Sequence, residues 1–87
     1  MKKNLHLSVV IPAYNEEQTI ATTIGAITRF LAKRDYEYEI IVVDDGSFDG
    51  TAAVVERLSV PDLVLIRHEK NQGKGAAVRT GMLAATG

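Results

Sequence analysis

The run Ile40-Ile41-Val42-Val43, closed by Asp44-Asp45, constrains this chain more than any other feature. Successive side chains of a strand alternate between its two faces, so four branched aliphatics in a row require both faces to be covered. Such a strand, predicted over residues 39–44, belongs in a parallel sheet with helices on both sides. Its end is a place of chemical tension. Two adjacent acids close an apolar run, and an ionised carboxylate beside low-dielectric surroundings needs partners. Asp45-Gly46-Ser47-Phe48-Asp49-Gly50 then reads as a turn cluster.

The remaining segments supply matching units. Residues 5–11 read as a buried strand that Pro12 ends. Asn15 offers a helix N-cap, with Gln18 in the capping-box position. Ile20, Ile24, Ile27 and Leu31 then mark one face of a helix running to about residue 34, and Glu16 and Glu17 suit its positive end. A short helix is predicted over residues 51–58, with Asp49 as its cap and Val60-Pro61-Asp62 as its break. A third strand follows at residues 63–67. The loop Asn71-Gln72-Gly73-Lys74-Gly75 opens a third helix at residues 76–85. Gly81 either weakens that helix by up to about 1 kcal/mol relative to alanine or marks close packing. The order βαβαβα implies right-handed crossovers and a Rossmann-like, three-layer αβα arrangement of about three βα units.

With 87 residues, one domain is the ceiling. At this size folding buries roughly 60–65% of the surface of the open chain, so the core is marginal. A net charge of −1 argues against a nucleic-acid partner, which draws on a basic excess. Cysteine is absent, which removes disulfides and thiolate metal sites and fits a reducing compartment. No stretch reads as a signal peptide or reaches the roughly 18 apolar residues of a membrane span. We therefore expect a chain soluble in itself and cytoplasmic.

Parallel α/β sheets bind ligands outside the carboxyl ends of their strands, which directs attention to three places. In Pro12-Ala13-Tyr14-Asn15-Glu16, a proline and a small residue let a flat ligand approach the backbone. Tyr14 can stack and Glu16 can accept from a sugar hydroxyl. The same residues also serve as a strand stop and helix cap. In Asp44-Asp45-Gly46-Ser47, one acid suits the paired donors of guanine or the imide N–H of uracil. Equally, Asp45 can accept N–H bonds from the following loop. The two acids point to opposite faces, so only one is assigned to a ligand. At Gly73-Lys74-Gly75, free N–H groups, the helix dipole and a cation converge where a phosphate would fit. A plain surface loop has the same composition. It is not a Walker A loop, because His68 and Gly75 stand where glycine and Ser or Thr belong. Val78 replaces the third glycine of a dinucleotide fingerprint. His6 and His68 have no metal-ligand spacing and are expected at the solvent or an edge. Arg29, Lys33, Arg34 and Arg57 are expected on exposed helix faces. Tyr36 and Tyr38 are expected as packing residues.

Three segments in order carry a resemblance. They are Val9-Val10-Ile11-Pro12-Ala13-Tyr14-Asn15-Glu16-Glu17, then Glu39 to Thr51 with its Val42-Val43-Asp44-Asp45-Gly46-Ser47-Phe48-Asp49-Gly50 centre, then Asn71-Gln72-Gly73-Lys74-Gly75-Ala76-Ala77-Val78-Arg79-Thr80-Gly81. The set resembles family 2 glycosyltransferases of the GT-A fold, most closely the dolichyl- or polyprenyl-phosphate mannosyl- and glucosyltransferases. The resemblance implies an inverting transferase that takes a sugar from a GDP- or UDP-sugar. The acceptor it implies is a polyprenyl or dolichyl phosphate. It places Pro12, Ala13, Tyr14 and Glu16 around the nucleoside, Val43 and Asp45 at base and ribose, and Gly73 and Lys74 beside the nucleotide. It assigns no catalytic residue to this chain.

The family's Asp-x-Asp motif, which holds Mg²⁺ or Mn²⁺ against the diphosphate, follows one more strand. Residues 1–87 stop at Ala84-Ala85-Thr86-Gly87, where that strand is expected to begin. We therefore expect a partial domain that lacks the metal ligands, acceptor site and any membrane anchor, and that is inactive alone. The full-length parent is expected at the cytoplasmic face of a membrane. With its fourth strand absent, the first strand is expected to offer a hydrophobic edge for homodimerisation. Two other readings stand beside this one: a non-catalytic nucleotide-binding or assembly module, and a family 2 transferase acting on a polysaccharide or glycan. A receiver-like signalling domain would need two more βα units.

Overall fold

The computed structural model describes residues 6–34 and 37–87. Leu5 and Tyr36, both assigned above, lie outside the described residues. The elements run β1 (His6–Ala13), α1 (Ile20–Ala32), β2 (Glu37–Asp45), α2 (Thr51–Arg57), β3 (Leu63–His68) and α3 (Lys74–Ala84). The three strands form one parallel sheet in the order β1-β2-β3. The expected α/β class and element order both hold.

β2 is central, and its apolar run does what its composition demands. Ile40 and Val42 join Ile20, Ile24 and Leu31 of α1 and Val55 of α2 on one face. Ile41 and Val43 meet Ala77 of α3 on the other. Ile20, Ile24, Ile40 and Val42 are all fully buried. Each such side chain stabilises the fold by about 1.5–3 kcal/mol. Tyr38 packs against the first cluster, as expected.

β2 is longer than expected, running Glu37–Asp45, and three further boundaries near the strand ends differ from the sequence expectation. β1 does not stop before Pro12 but continues to Ala13, with Pro12 opposite Val43. As an outer strand with one partner, β1 can hold a proline where a central strand would lose a ladder bond. α1 begins at Ile20, with Thr19 as its N-cap and no acidic residue in its first turn. Asn15 is therefore not its cap; it sits at φ 51°, a left-handed conformation that asparagine tolerates better than most residues. α3 starts two residues earlier than expected, at Lys74.

Gly81 resolves to close packing. A Cβ there would stand 2.3 Å from Val10 Cγ1, so the absent side chain lets α3 lie directly on β1. Helix and strand meet at the sheet's edge, and the carboxyl ends of all three strands open on one side of the molecule.

Candidate functional site

The first two strand-end loops are tied together by their own polar groups. The Asn15 amide donates to Ser47 Oγ at 2.8 Å, and the Phe48 amide donates to Asn15 Oδ1 at 2.9 Å. One residue on, the Glu16 amide donates to Thr51 Oγ1. The Glu17 amide donates to Asp49 Oδ2 while the Gly50 amide donates back to Glu17 Oε1. Asp49 also accepts from the amide and hydroxyl of Thr51. These bonds, the Thr51 side chain's first, lower the Asp49 pKa. The loop after β2 thus spends its Ser, Asp and Thr side chains on fixing the loop after β1. Phe48 is left pointing outward, 88% exposed.

The paired acids divide as their alternation requires. Asp44 turns toward Ser47, accepting from its amide and its hydroxyl. Its second oxygen lies 3.8 Å from Arg67 Nε. Asp45 turns to the α3 side and accepts from three donors. The His68 Nδ1–H and the Gln72 amide both reach Oδ1 at 2.8 Å, and the Gly73 amide reaches Oδ2 at 2.9 Å. The His68 bond is the largest cause of a lowered Asp45 pKa, followed by the Gln72 amide; burial opposes them. The two amide donors come from the loop after β3, not from the loop that directly follows Asp45. Asn71 Nδ2 closes the same junction by donating to the Asp45 carbonyl.

Gly46 makes that junction possible. Its φ is +75°, and a Cβ would lie 2.4 Å from the Asn71 nitrogen and 2.6 Å from the Lys70 carbonyl carbon. The loop after β2 and the loop after β3 therefore pack backbone to backbone.

His68 is not a solvent or edge residue, as its isolation in the sequence suggested. Its side chain is 9% exposed, with Nδ1 on Asp45 and Nε2 2.9 Å from Thr80 Oγ1. Sequence spacing missed it because its partners come from β2 and α3. His6 is half-exposed at the far end of the sheet, beside Glu39 and Thr86. Arg29 and Arg57 are exposed on their helices, and Lys33 and Arg34 are exposed just past the end of α1.

The three loops surround one cleft of about 590 Å³. Pro12, Ala13, Tyr14 and Glu16 form one wall, and Asp45, Gly73 and Lys74 form the other. Tyr14, Asp45 and Lys74 thus face a single space. Val43 does not line it; it is fully buried beneath, against Ala77. Thr23, Asn71, Ile11 and Ala77 line the cleft without having been assigned to it. Thr23 had no distinguishing mark in the sequence, whereas Asn71 stood beside the glycines and was legible as a loop residue only.

The cleft has an apolar back, a ring face at Tyr14 and an anionic acceptor at Asp45. Its far rim holds the α3 N-terminus. The Gly73 amide is used by Asp45, and the Ala77 amide bonds the Gly73 carbonyl. The amides of residues 74–76 are the first-turn donors of α3, which have no intrahelical acceptor. Together with the Lys74 ammonium they suit an anionic group.

The model of glycosyl transferase family 2 matches residues 8–87. The chain belongs to glycosyl transferase family 2. Among this family's curated members, a dolichyl-phosphate beta-glucosyltransferase of Dictyostelium discoideum is 39% identical over 93 residues. That match covers 97% of this chain and 28% of that protein. The human dolichyl-phosphate beta-glucosyltransferase is 38% identical over 90 residues, covering 93% of this chain and 28% of that protein. Among solved structures, the mannosyltransferase PcManGT from Pyrobaculum calidifontis, in complex with GDP-Man and Mn²⁺, superposes with a TM-score of 0.78 at 33% identity. It covers 92% of this chain, which spans 24% of that protein. This family 2 chain therefore spans 28% of the length of the curated relatives it matches.

The neighbour's Mn²⁺ raises the question of a metal here. Among the described residues, no three His, Asp or Glu side chains gather to hold one. Asp45, the acid at the back of the cleft, has three of its acceptor positions taken by N–H donors. The described residues do not fit a metal. Among the described residues, no helix is long and apolar enough to cross a membrane.

Proposed function

We propose that this chain is the nucleotide-sugar-binding part of an inverting glycosyltransferase. Its donor is a GDP- or UDP-sugar and its acceptor a polyprenyl or dolichyl phosphate. The observation that carries this is the convergence of Tyr14, Asp45 and Lys74 on one cleft. A ring, an anionic acceptor and a cation on one cleft match the three parts of a nucleoside diphosphate. Tyr14 and Pro12 would hold the nucleoside plane, Asp45 would accept from base N–H groups, and Lys74 with the α3 amides would meet the diphosphate. Glu16 would accept from a ribose or sugar hydroxyl. Val43 would act from below, as the packed floor that keeps Asp45 in place.

The chemistry asks little of these residues in the way of proton transfer. A phosphate-monoester oxygen of the acceptor attacks the anomeric carbon. The bond from that carbon to the diphosphate oxygen breaks, and the nucleoside diphosphate leaves with the electron pair. The acceptor oxygen is already anionic, so no strong general base is required. The protein's share is positioning and charge stabilisation at the leaving diphosphate. Mg²⁺ or Mn²⁺ would supply part of that stabilisation from ligands outside this chain.

The names of the Dictyostelium and human relatives favour the dolichyl phosphate acceptor over a polysaccharide. Such an acceptor puts the full-length enzyme at a membrane, on the cytoplasmic face where nucleotide sugars are made. The deciding experiment is calorimetric titration of the full-length protein with GDP-mannose, UDP-glucose and UDP-GlcNAc, with and without Mn²⁺. Saturable binding of one donor, strengthened by Mn²⁺, is expected. Heat from none of the three would sink the assignment.

The free side of β1 supports a homodimer. β1 is an outer strand, and the chain's last residues cover only its start, with the Gly87 amide donating to Ser8 Oγ. Residues 9–13 offer an apolar edge for a second copy. A monomer at millimolar concentration by light scattering would refute this.

A further inference from the structure

We propose that His68 is a positioning residue whose Nδ1–H, held on Asp45 while Thr80 anchors the other side of the ring, sets which oxygen of Asp45 is open to a ligand in the cleft; this rests on the nucleotide reading given above. A carboxylate offers about four acceptor positions, two on each oxygen. On Asp45, Oδ1 has both taken, by His68 Nδ1 and the Gln72 amide, while Oδ2 has one taken, by the Gly73 amide. One position remains, on Oδ2, and Asp45 is a wall of the cleft. An ionised carboxylate cannot donate, so Nδ1 must carry the proton. On the other side Nε2 lies 2.9 Å from the Thr80 hydroxyl, which can donate to it or accept from it.

The alternative tautomer would place a nitrogen lone pair against Asp45 Oδ1. Asp45 would turn to recover a donor and give up its fixed bonds to Gln72 and Gly73. The Asp45 carboxylate disfavours this itself, and Thr80 holds the ring in place from a helix that Gly81 seats directly on β1. His68 therefore links the seating of α3 to the acceptor geometry of the cleft without itself lining that cleft.

Two substitutions separate the roles of the ring nitrogens. Asparagine's amide nitrogen lies the same number of bonds from the backbone as Nδ1, and glutamine's the same number as Nε2. His68→Asn retains a donor to Asp45, and His68→Gln offers its donor toward Thr80 instead. The test uses the ¹⁵N-labelled full-length protein with Mg²⁺ present. Long-range ¹H–¹⁵N spectra at neutral pH are expected to show His68 protonated on Nδ1. In titrations with UDP and GDP, His68→Asn is expected to stay within about threefold of the unaltered chain. His68→Gln is expected to weaken binding about tenfold or more, the scale of one hydrogen bond to a charged group. A ring bare at Nδ1, or equal affinities for the two variants, overturns the proposal. If the unaltered chain binds neither nucleotide, the nucleotide reading falls, and the tautomer together with the Gln72 and Gly73 amide shifts in the two variants decides the His68 assignment.

Discussion

The Asn15 amide donates to the Ser47 hydroxyl across 32 positions of sequence, and the Asn15 side chain accepts from the next residue's amide in return. This exchange joins the first two strand-end loops and holds the Tyr14 wall at a fixed distance from Asp45. Much of the polar character of Asp45-Gly46-Ser47-Phe48-Asp49-Gly50-Thr51 is therefore structural. Its Ser, the second Asp and Thr serve the neighbouring loop, and only Asp45 faces the cleft.

Replacing Asn15 by alanine tests that clamp. It removes the acceptor for the Phe48 amide and forces a Cβ-bearing residue without a local hydrogen bond into left-handed backbone. Urea denaturation is expected to show a loss of about 1–2 kcal/mol. Asn15→Gly loses the same bond but tolerates the backbone, so its loss should be smaller. Equal losses would mean that the backbone conformation contributes nothing.

Gly81→Ala sets helix propensity against packing. Alanine gains about 1 kcal/mol in a helix interior, but its Cβ would stand 2.3 Å from Val10 Cγ1. Overpacking of that kind costs about 1–3 kcal/mol, so the net change should be destabilising. Val10→Ala should be destabilising alone yet restore much of the loss when combined with Gly81→Ala. Additive effects in the double-mutant cycle would show that the two residues do not share the site.

The pH dependence follows from three carboxylates held below their usual range. Glu39 is lowered from 4.5 to about 2, by the Ser8 hydroxyl first and then the Thr86 amide and hydroxyl. Asp45 and Asp49 are lowered by His68 and Thr51 respectively. A group with a depressed folded pKa contributes stability that is complete above its unfolded pKa and lost as pH falls through the folded value. The urea midpoint should therefore hold steady at neutral pH and drop between about pH 4.5 and pH 2. Ser8→Ala with Thr86→Val should flatten that drop. A midpoint insensitive to pH over this range would contradict the assignment of these bonds.

The sequence showed most of the frame. The run of residues 40–43 dictated a doubly covered parallel strand, and the spacing of Ile20, Ile24 and Leu31 dictated the helix that covers it. The three strand ends could be picked out because loops, not cores, carry glycine and acids together. Local pattern failed where a residue's partner is distant in sequence. Asn15 has the composition of a helix cap, but its partners are Ser47 and Phe48. His68 has no neighbour of interest within several positions, yet Asp45 and Thr80 enclose it. Val43 stands two residues before Asp45, and alternation puts it on the same face but one layer deeper, under the cleft instead of in it.

Lys74 offers the sharpest separation of the nucleotide reading from a general affinity of the cleft for flat molecules. Its ammonium and the α3 first-turn amides are the cationic and N–H donor groups of the cleft, so on this reading they meet only the charged part of a ligand. Lys74→Ala should weaken UDP or GDP binding about tenfold, the scale of one charge-assisted contact. It should leave the affinity for uridine or guanosine unchanged, because a nucleoside has no phosphate to lose. Raising the salt concentration should weaken the diphosphate by a larger factor in the unaltered chain than in the variant, since exposed charges are screened. Equal losses for nucleoside and diphosphate would place Lys74 in the scaffold of the cleft and leave its anion-binding rim without a cation.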